Sequence, residues 1–374
     1  MKVGINLLWL VPGQVGGSET YLARLLTGLA ERSSELDYTI FALPQFADAH
    51  PQLAATFKTA YAPVTGQWKS FRVAGENSWL GVQCRLRNIA LVHHAGGTVP
   101  IVGRRRPVLT IHDLQYLYYP EYFRRAKLQF LKTMVPRSAE AARLVLTPSE
   151  FTRRTVIERL HIDPSIVVVV PHGISPREKI PEQREVRARY EIDGPFFLYP
   201  AITYPHKNHL VLLEAFAKLL KKHPDTSLVL TGAKGSMEVG LASAVRELGI
   251  EASVKRLGYL PESDLDALYD EAVALAFPSR FEGFGAPVLE AMSRSCPVIA
   301  ANSTALPEVV GDAGVLVSPD NPDHWADAMS ELLQEEETRA HFAKVGRERA
   351  RSFTWKRAAD VLEEAYLYAL DTTL

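Results

Sequence analysis

The stretch Val273-Ala274-Leu275-Ala276-Phe277-Pro278-Ser279-Arg280-Phe281-Glu282-Gly283-Phe284-Gly285-Ala286-Pro287-Val288-Leu289-Glu290-Ala291-Met292 decides the reading of this chain. An apolar block of strand length runs into a polar loop with two glycines, and a helical pattern comes next. An uninterrupted apolar block suits a strand buried on both faces, as in a parallel sheet. Gly283 and Gly285 allow the backbone to approach a ligand closely, and Pro287 suits the first turn of a helix. The free N–H groups at such a helix start face an anion favourably. Glu282 falls in the loop and Glu290 about one turn into the helix. Both fit one pocket as acceptors for hydroxyl groups. On spacing alone they fit equally well as a surface residue and a helix-face residue.

Outward from this stretch the same strand-then-helix alternation recurs, which is the pattern of an α/β chain with parallel sheets. In the first half the spacing predicts strands at Val3–Leu10, Tyr38–Leu43, Ile89–His93, Val108–Ile111, Leu144–Thr147 and Ile166–Val170. In the second half it predicts Phe196–Tyr199, Ser227–Leu230, Val254–Leu257, Val273–Phe277, Val298–Ala300 and Val315–Val317. Helical patterns at Ser18–Glu31, Leu210–Lys222, Glu262–Asp270 and Trp325–Leu333 lie between strands. Pro and Gly cluster in Pro171-His172-Gly173-Ile174-Ser175-Pro176, which reads as an interdomain hinge. The chain of 374 residues, 47% of them hydrophobic, is long enough for two cores. The expected domains are residues 1–172 and 173–352, with a helix in 353–374 crossing back to the first domain.

Composition narrows the classes of function. No apolar run approaches the length of about 20 residues that spans a bilayer. The segment Met1–Val11 is read as a buried first strand rather than a signal peptide, since it enters the turn Gly13-Gln14-Val15-Gly16-Gly17 without a small-residue cleavage pattern. Only Cys84 and Cys296 are present, far apart, which implies a reducing compartment and offers no thiolate metal site. His93-His94 lacks a third ligand at zinc spacing. Residues 1–172 hold 20 Lys and Arg against 12 Asp and Glu, a net charge of +8, and the remainder carries −9. A basic first half suits an anionic partner such as a lipid-linked phosphate, an acidic glycan or a membrane surface. It equally suits solvated faces paired with the acidic half. Within it, Pro120–Arg143 mixes Arg124, Arg125, Lys127, Lys132, Arg137 and Arg143 with Phe123, Leu128, Phe130 and Leu131. That is a basic amphipathic pattern, read either as membrane-surface binding or as a packed helix with a wet face.

Two glutamates with seven residues between them, in the setting Glu282-Gly283-Phe284-Gly285, resemble the signature of the retaining glycosyltransferases of family 4, which have the GT-B fold. The likeness recurs in order through Gly16-Gly17-Ser18-Glu19, Ile111-His112-Asp113, Thr147-Pro148-Ser149-Glu150, Pro171-His172-Gly173, Pro205-His206-Lys207-Asn208, Leu257-Gly258-Tyr259-Leu260, Leu306-Pro307-Glu308-Val309-Val310-Gly311 and Phe353-Thr354-Trp355. So many motifs in order make a specific match. The resemblance implies two Rossmann-like domains facing across a cleft, the first binding an acceptor and the second a nucleotide sugar.

The resemblance also implies individual roles. Glu282 would bind hydroxyls of the transferred sugar, with backbone N–H groups of Gly283, Phe284 and Gly285 at the start of the helix through Ala286 and Pro287. Glu290 would hold the ribose. Lys207 would neutralise the diphosphate, which suits a flexible ammonium following charge that develops on a leaving group. His112, at a strand's carboxyl end, would approach the donor sugar; the plainer reading is a packed histidine beside a capping Asp113. Gly16 and Gly17 would belong to a loop closing on donor or acceptor. Gly232 and Lys234 would line the nucleotide pocket, and Leu260 and Glu262 would lie near the base. Ala201 departs from the pattern, because many relatives carry an arginine there; Thr203 or His206 would supply a hydrogen bond instead.

The implied activity is transfer of a hexose with retention, from GDP-mannose by likeness to bacterial mannosyltransferases, to a glycan or lipid-linked acceptor in polysaccharide synthesis. No metal and no cofactor beyond the nucleotide sugar substrate is expected, nor any nucleic acid partner. The expected location is cytoplasmic, with a peripheral contact at the inner face of an anionic membrane as a further reading. The alternatives are a transferase using a UDP-sugar, a non-catalytic subunit of a glycan assembly complex, and a nucleotide-sugar epimerase of the same fold. A NAD-dependent oxidoreductase is disfavoured, because Gly13, Gly16 and Gly17 do not match the G-x-G-x-x-G order.

Overall fold

The computed structural model describes residues 1–14, 16–101, 107–175 and 182–371. Val15 of the glycine turn and Pro176 of the hinge segment lie outside these residues. The chain forms two compact units, Met1–Ser175 with Phe353–Leu374, and Pro176–Ser352.

The first unit is built on a parallel sheet of seven strands: β1 (Lys2–Asn6), β2 (Asp37–Ala42), β3 (Lys58–Tyr61), β4 (Leu91–His94), β5 (Val108–Thr110), β6 (Leu144–Thr147) and β7 (Val167–Val169). Their order across the sheet is β3-β2-β1-β4-β5-β6-β7, so the direction of winding reverses between β1 and β4. Such a reversal opens a crevice beyond the carboxyl ends of the two strands. The expected strand at Val3–Leu10 stops at Asn6; Leu7, Leu8 and Leu10 stay buried but turn out of the sheet. Strand β3 is absent from the sequence reading. It lies at the sheet edge and buries only Ala60, so it carries almost no apolar signal.

The helix Trp355–Leu370 belongs to this first unit. Thr354 caps it by accepting the Arg357 N–H, and Ala358, Ala359, Leu362, Ala365, Tyr366 and Ala369 form its buried stripe at helical spacing. That stripe joins the core cluster of Leu22, Leu25, Leu26 and Leu29 from the helix Gly17–Ala30. The helices meet closely at Gly28, where an added Cβ would lie 2.7 Å from the Trp355 carbonyl oxygen.

The basic segment folds as the helix Arg125–Ala141. Its Val135 and Ala139, with Phe123, Leu128 and Leu131, pack into the unit's own core, while Arg124, Arg125, Lys127 and Lys132 remain exposed. No described helix is long and apolar enough to cross a membrane.

The second unit is built on a parallel sheet of six strands: β8 (Phe196–Pro200), β9 (Ser227–Thr231), β10 (Val254–Gly258), β11 (Ala274–Phe277), β12 (Val298–Ala301) and β13 (Val315–Val317). The order is β10-β9-β8-β11-β12-β13, with the reversal between β8 and β11. The apolar blocks that predicted these strands are buried on both faces, with Phe196, Phe197, Leu198, Tyr199, Leu275, Ala276 and Phe277 fully enclosed. The helix His209–Leu220 covers the sheet with Leu212, Leu213, Ala215, Phe216 and Leu219 at helical spacing.

Candidate functional site

The strands that flank the reversal in the second unit deliver the two most notable side chains. After β8, the turn Pro205–Lys207 ends at Asn208, whose φ of 58° redirects the chain into the helix His209–Leu220. Asn208 Nδ2 donates to the carbonyls of Pro278, at 3.2 Å, and Pro319, at 2.6 Å, and the Arg280 N–H donates to the His206 carbonyl at 2.8 Å. The loop after β8 is thereby tied to the loop after β11. Lys207 Nζ consequently lies 2.6 Å from Glu282 Oε1, with side-chain exposures of 17% and 13%. A pair this withdrawn from water is screened weakly and keeps a defined geometry. The Glu282 N–H donates to Thr304 Oγ1 at 3.0 Å, which fixes the loop from its other side.

Gly285 leads from this loop into the helix Ala286–Ser293 with a φ of 102°. A side chain there would also collide with Leu306, whose Cδ2 lies 2.5 Å from the position of a Cβ. Ala286 and Pro287 open the helix, so its first N–H groups lie within a few residues of Glu282. A lysine ammonium, a carboxylate and a helix N-terminus in one place can hold a polyhydroxylated, anionic molecule.

Glu290, half-buried on the same helix, has its pKa pushed up to about 7, chiefly by burial and then by the charges of Glu262 and Asp266. The Tyr269 hydroxyl and Arg294 act in the opposite direction. Glu290 and Glu262 are thus neighbours, and Glu262 is exposed at the start of the helix Glu262–Glu271.

A cavity of about 250 Å³ adjoins the carboxyl ends of β8, β9 and β10. Ala201, Thr203, Gly232 and Lys234 line it, but Lys207, Glu282, Glu290, Leu260 and Glu262 do not. Leu260 is buried beyond the end of β10. Thr203 is already committed within the unit. Its hydroxyl donates to Glu238 Oε2 at 2.9 Å and accepts the Gly235 N–H at 2.6 Å. The His206 ring packs against Tyr204, and burial together with the Lys207 charge holds its pKa down to about 4. The cavity also gathers His209, Glu238 and Arg256, which the sequence reading passed over. Arg256 sits next to Lys255 near the carboxyl end of a strand, the place where ligand contacts concentrate in such sheets. That position was the available signal.

In the first unit, His112 comes after β5 and donates from Nε2 to the Ala95 carbonyl at 3.0 Å. Burial lowers its pKa, while the Ala95 backbone and Asp113 oppose the shift. Its ring packs near Trp9 and Tyr21. Asp113 accepts the Gln115 N–H at 2.9 Å and so starts the next turn. His93 and His94 lie in β4 rather than after it. His93 is bonded to Tyr366 and Thr110, at 2.7 Å each, and His94 to Asn6 at 3.0 Å. The turn before the first helix is held by Glu19, which accepts the Gly13 N–H at 2.8 Å, while Gly16 caps that helix and Gly17 opens it. Among the described residues no group of three His, Cys, Asp or Glu side chains is arranged to hold a metal ion.

Comparison with known proteins identifies the family. The family described as glycosyltransferase family 4 matches residues 15–178, and glycosyl transferases group 1 matches residues 181–349. The O-antigen chain mannosyltransferase B of Escherichia coli is 33% identical over 267 residues, covering 70% of each chain. The O-antigen chain mannosyltransferase RfbU of Salmonella typhimurium is 27% identical over 260 residues, covering 68% of this chain and 69% of that one. Among solved structures, HepE of Anabaena in complex with UDP and glucose superposes with a TM-score of 0.77 at 19% identity, covering 98% of this chain and 100% of that one. That likeness shows the fold, an α/β GT-B fold of two Rossmann-like units. With both halves matched and a relative of this identity over two thirds of its length, the chain belongs to the family 4, group 1 glycosyltransferases.

Proposed function

We propose that this glycosyltransferase moves mannose from GDP-mannose to a growing surface polysaccharide or its lipid-linked precursor, with retention at the anomeric carbon and without a metal ion. The observation that carries the reading is the Lys207–Glu282 pair, held between the two strands at the sheet reversal and beside the start of the helix Ala286–Ser293. The ammonium and the helix N–H groups suit a diphosphate, and the carboxylate suits sugar hydroxyls. Relatives named as mannosyltransferases support the choice of sugar.

In the proposed reaction the bond between the sugar's anomeric carbon and the β-phosphate oxygen breaks. A bond from the acceptor oxygen to that carbon forms on the same face. The acceptor's proton passes to the departing phosphate oxygen, and GDP leaves. Lys207 and the backbone N–H groups of Gly283, Phe284 and Gly285 take up the charge that develops on the diphosphate. Glu282 orients the sugar, Glu290 accepts from the ribose hydroxyls, and His112 supports the transfer. The loop with Gly16 and Gly17 closes on donor or acceptor. Gly232, Lys234, Leu260 and Glu262 surround the nucleoside. In this reading the protein acts in the cytoplasm, and the basic first unit meets an anionic acceptor or membrane surface.

A UDP-sugar donor is the second reading, favoured by the structural likeness to HepE, which was solved in complex with UDP-glucose. Thermal shifts with GDP, UDP, ADP and NAD, each in EDTA and in magnesium, separate the two. A ligand at about 100 times its Kd adds roughly 2.7 kcal/mol of stability. A shift with GDP in EDTA is the expected result. A shift with UDP alone replaces the donor, and a shift only in magnesium removes the metal-independent mechanism.

A further inference from the structure

The cavity beside β8, β9 and β10 has a wall of opposite charges. The Arg256 guanidinium is paired with the Glu238 carboxylate. Glu238 stands in the first turn of the helix Glu238–Glu247, where negative charge is favoured. Its Oε2 accepts from Thr203 at 2.9 Å, and Thr203 accepts the Gly235 N–H at 2.6 Å. A chain of hydrogen bonds ending on backbone therefore fixes the plane of the carboxylate. Each carboxylate oxygen can accept two bonds, so the pair keeps acceptor capacity after these contacts.

His209 supplies a second, independent observation. It lines the same cavity, is 5% exposed, and has the Ala201 backbone as its hydrogen-bond neighbour. Burial, then the Lys207 charge, holds its pKa down to about 4, while the nearby Ala201 backbone pulls weakly the other way. Burial favours the uncharged ring, which has no side-chain hydrogen-bond partner among the described residues at the edge of the cavity. A buried polar group with hydrogen-bonding capacity to spare in such a place suits a ligand atom.

The fixed pair discriminates between bases. Guanine presents O6, N1–H and the 2-amino group in one row. A guanidinium can donate to O6 while the neighbouring carboxylate accepts both N–H groups. Uracil offers a single N–H between two carbonyl oxygens, so one carboxylate oxygen would face a carbonyl. Adenine and cytosine place an acceptor beside their amino group. We propose that Glu238 and Arg256 form a guanine-reading pair in this cavity, which makes guanosine diphosphate the nucleotide of the donor. The inference rests on the reading of the second unit as the nucleotide-sugar site, and it adds residues that read the base.

The test is isothermal titration of the full chain with GDP, IDP and UDP. IDP differs from GDP only by the missing 2-amino group. The expected result is GDP bound roughly 10–100-fold more tightly than either, the worth of one charge-assisted hydrogen bond. Glu238→Gln, which keeps an oxygen for Thr203, is expected to erase the preference of GDP over IDP and to leave UDP binding within about threefold. GDP and IDP bound equally by the unaltered chain would overturn the pair and leave the nucleotide site standing. That comparison needs no folded variant. UDP bound more tightly than GDP would likewise overturn it. Binding of no nucleoside diphosphate would instead remove the nucleotide-sugar reading, and the pair with it.

Discussion

The two units solve one construction problem with different chemistry at the ends of their strands. In the first unit the carboxyl ends of the strands gather buried histidine rings, together with Asn6, which donates to the Glu76 carboxylate at 3.0 Å. Burial holds His93, His94 and His172 down to about 3, and each packs or bonds against uncharged partners such as Tyr366, Asn6 and Tyr21. In the second unit two ion pairs stand near the carboxyl ends of the strands: Lys207 with Glu282 and Arg256 with Glu238. Uncharged donors and acceptors suit neutral hydroxyl groups. Fixed charges suit an anion, because they are already oriented before it arrives. Two parallel sheets of one kind thus carry different sets of side chains at the carboxyl ends of their strands.

The sharpest way to break this contrast is to remove a charge from the second unit. Glu282→Ala and Lys207→Ala are each expected to lower turnover by roughly 10²–10³-fold or more, with unchanged far-ultraviolet dichroism. A variant that turns over at a near-normal rate would take the ion pair out of the reaction. Removing a buried ring from the first unit is the matching change. His112→Ala is expected to reduce kcat by about 10²-fold and to move the donor KM by less than about threefold. An effect confined to KM would make His112 a binding residue only.

Two further changes test how the second unit holds its charges. Gly285→Ala forces a side chain into a φ of 102° and against Leu306. A stability loss of about 1–3 kcal/mol in urea unfolding is expected, and a neutral result would mean that the loop relaxes freely. The smallest effect concerns Glu290, whose pKa is about 7 when folded and whose ordinary value is 4.5. Below pH 4.5 both states carry the proton. Between 4.5 and 7 only the unfolded chain loses it, so this group withdraws stability as pH rises through that window. Its ionised form is the stronger acceptor, so the donor KM should fall a few-fold between pH 6 and pH 8. Glu290→Gln should flatten that profile; an unchanged slope would assign it to another group.

Much of the fold is legible in the sequence because apolar blocks report burial. The six strands of the second unit fall where the blocks do, each leading into a polar or glycine-bearing turn. The same signal misleads at Leu7–Leu10, where burial continues after the strand has ended, and fails at β3, whose edge position needs little apolar surface. The site was legible only in part. Glu282 and Lys207 stand out by motif, but 75 residues separate them, and only the parallel pairing of β8 with β11 brings them to 2.6 Å. Glu238, Arg256 and His209 carry no local motif. They meet because the strands and helices around β9 converge, a relation that periodicity does not encode.

The return of the helix Trp355–Leu370 to the first unit has a consequence for biosynthesis. Residues of the second unit are inserted between two parts of the first, so the first unit lacks a piece of its core until the ribosome has made Tyr366. The usual order of domains folding from the amino end is therefore reversed here. The second unit can close first, while Leu22, Leu25 and Leu29 wait with an uncovered face.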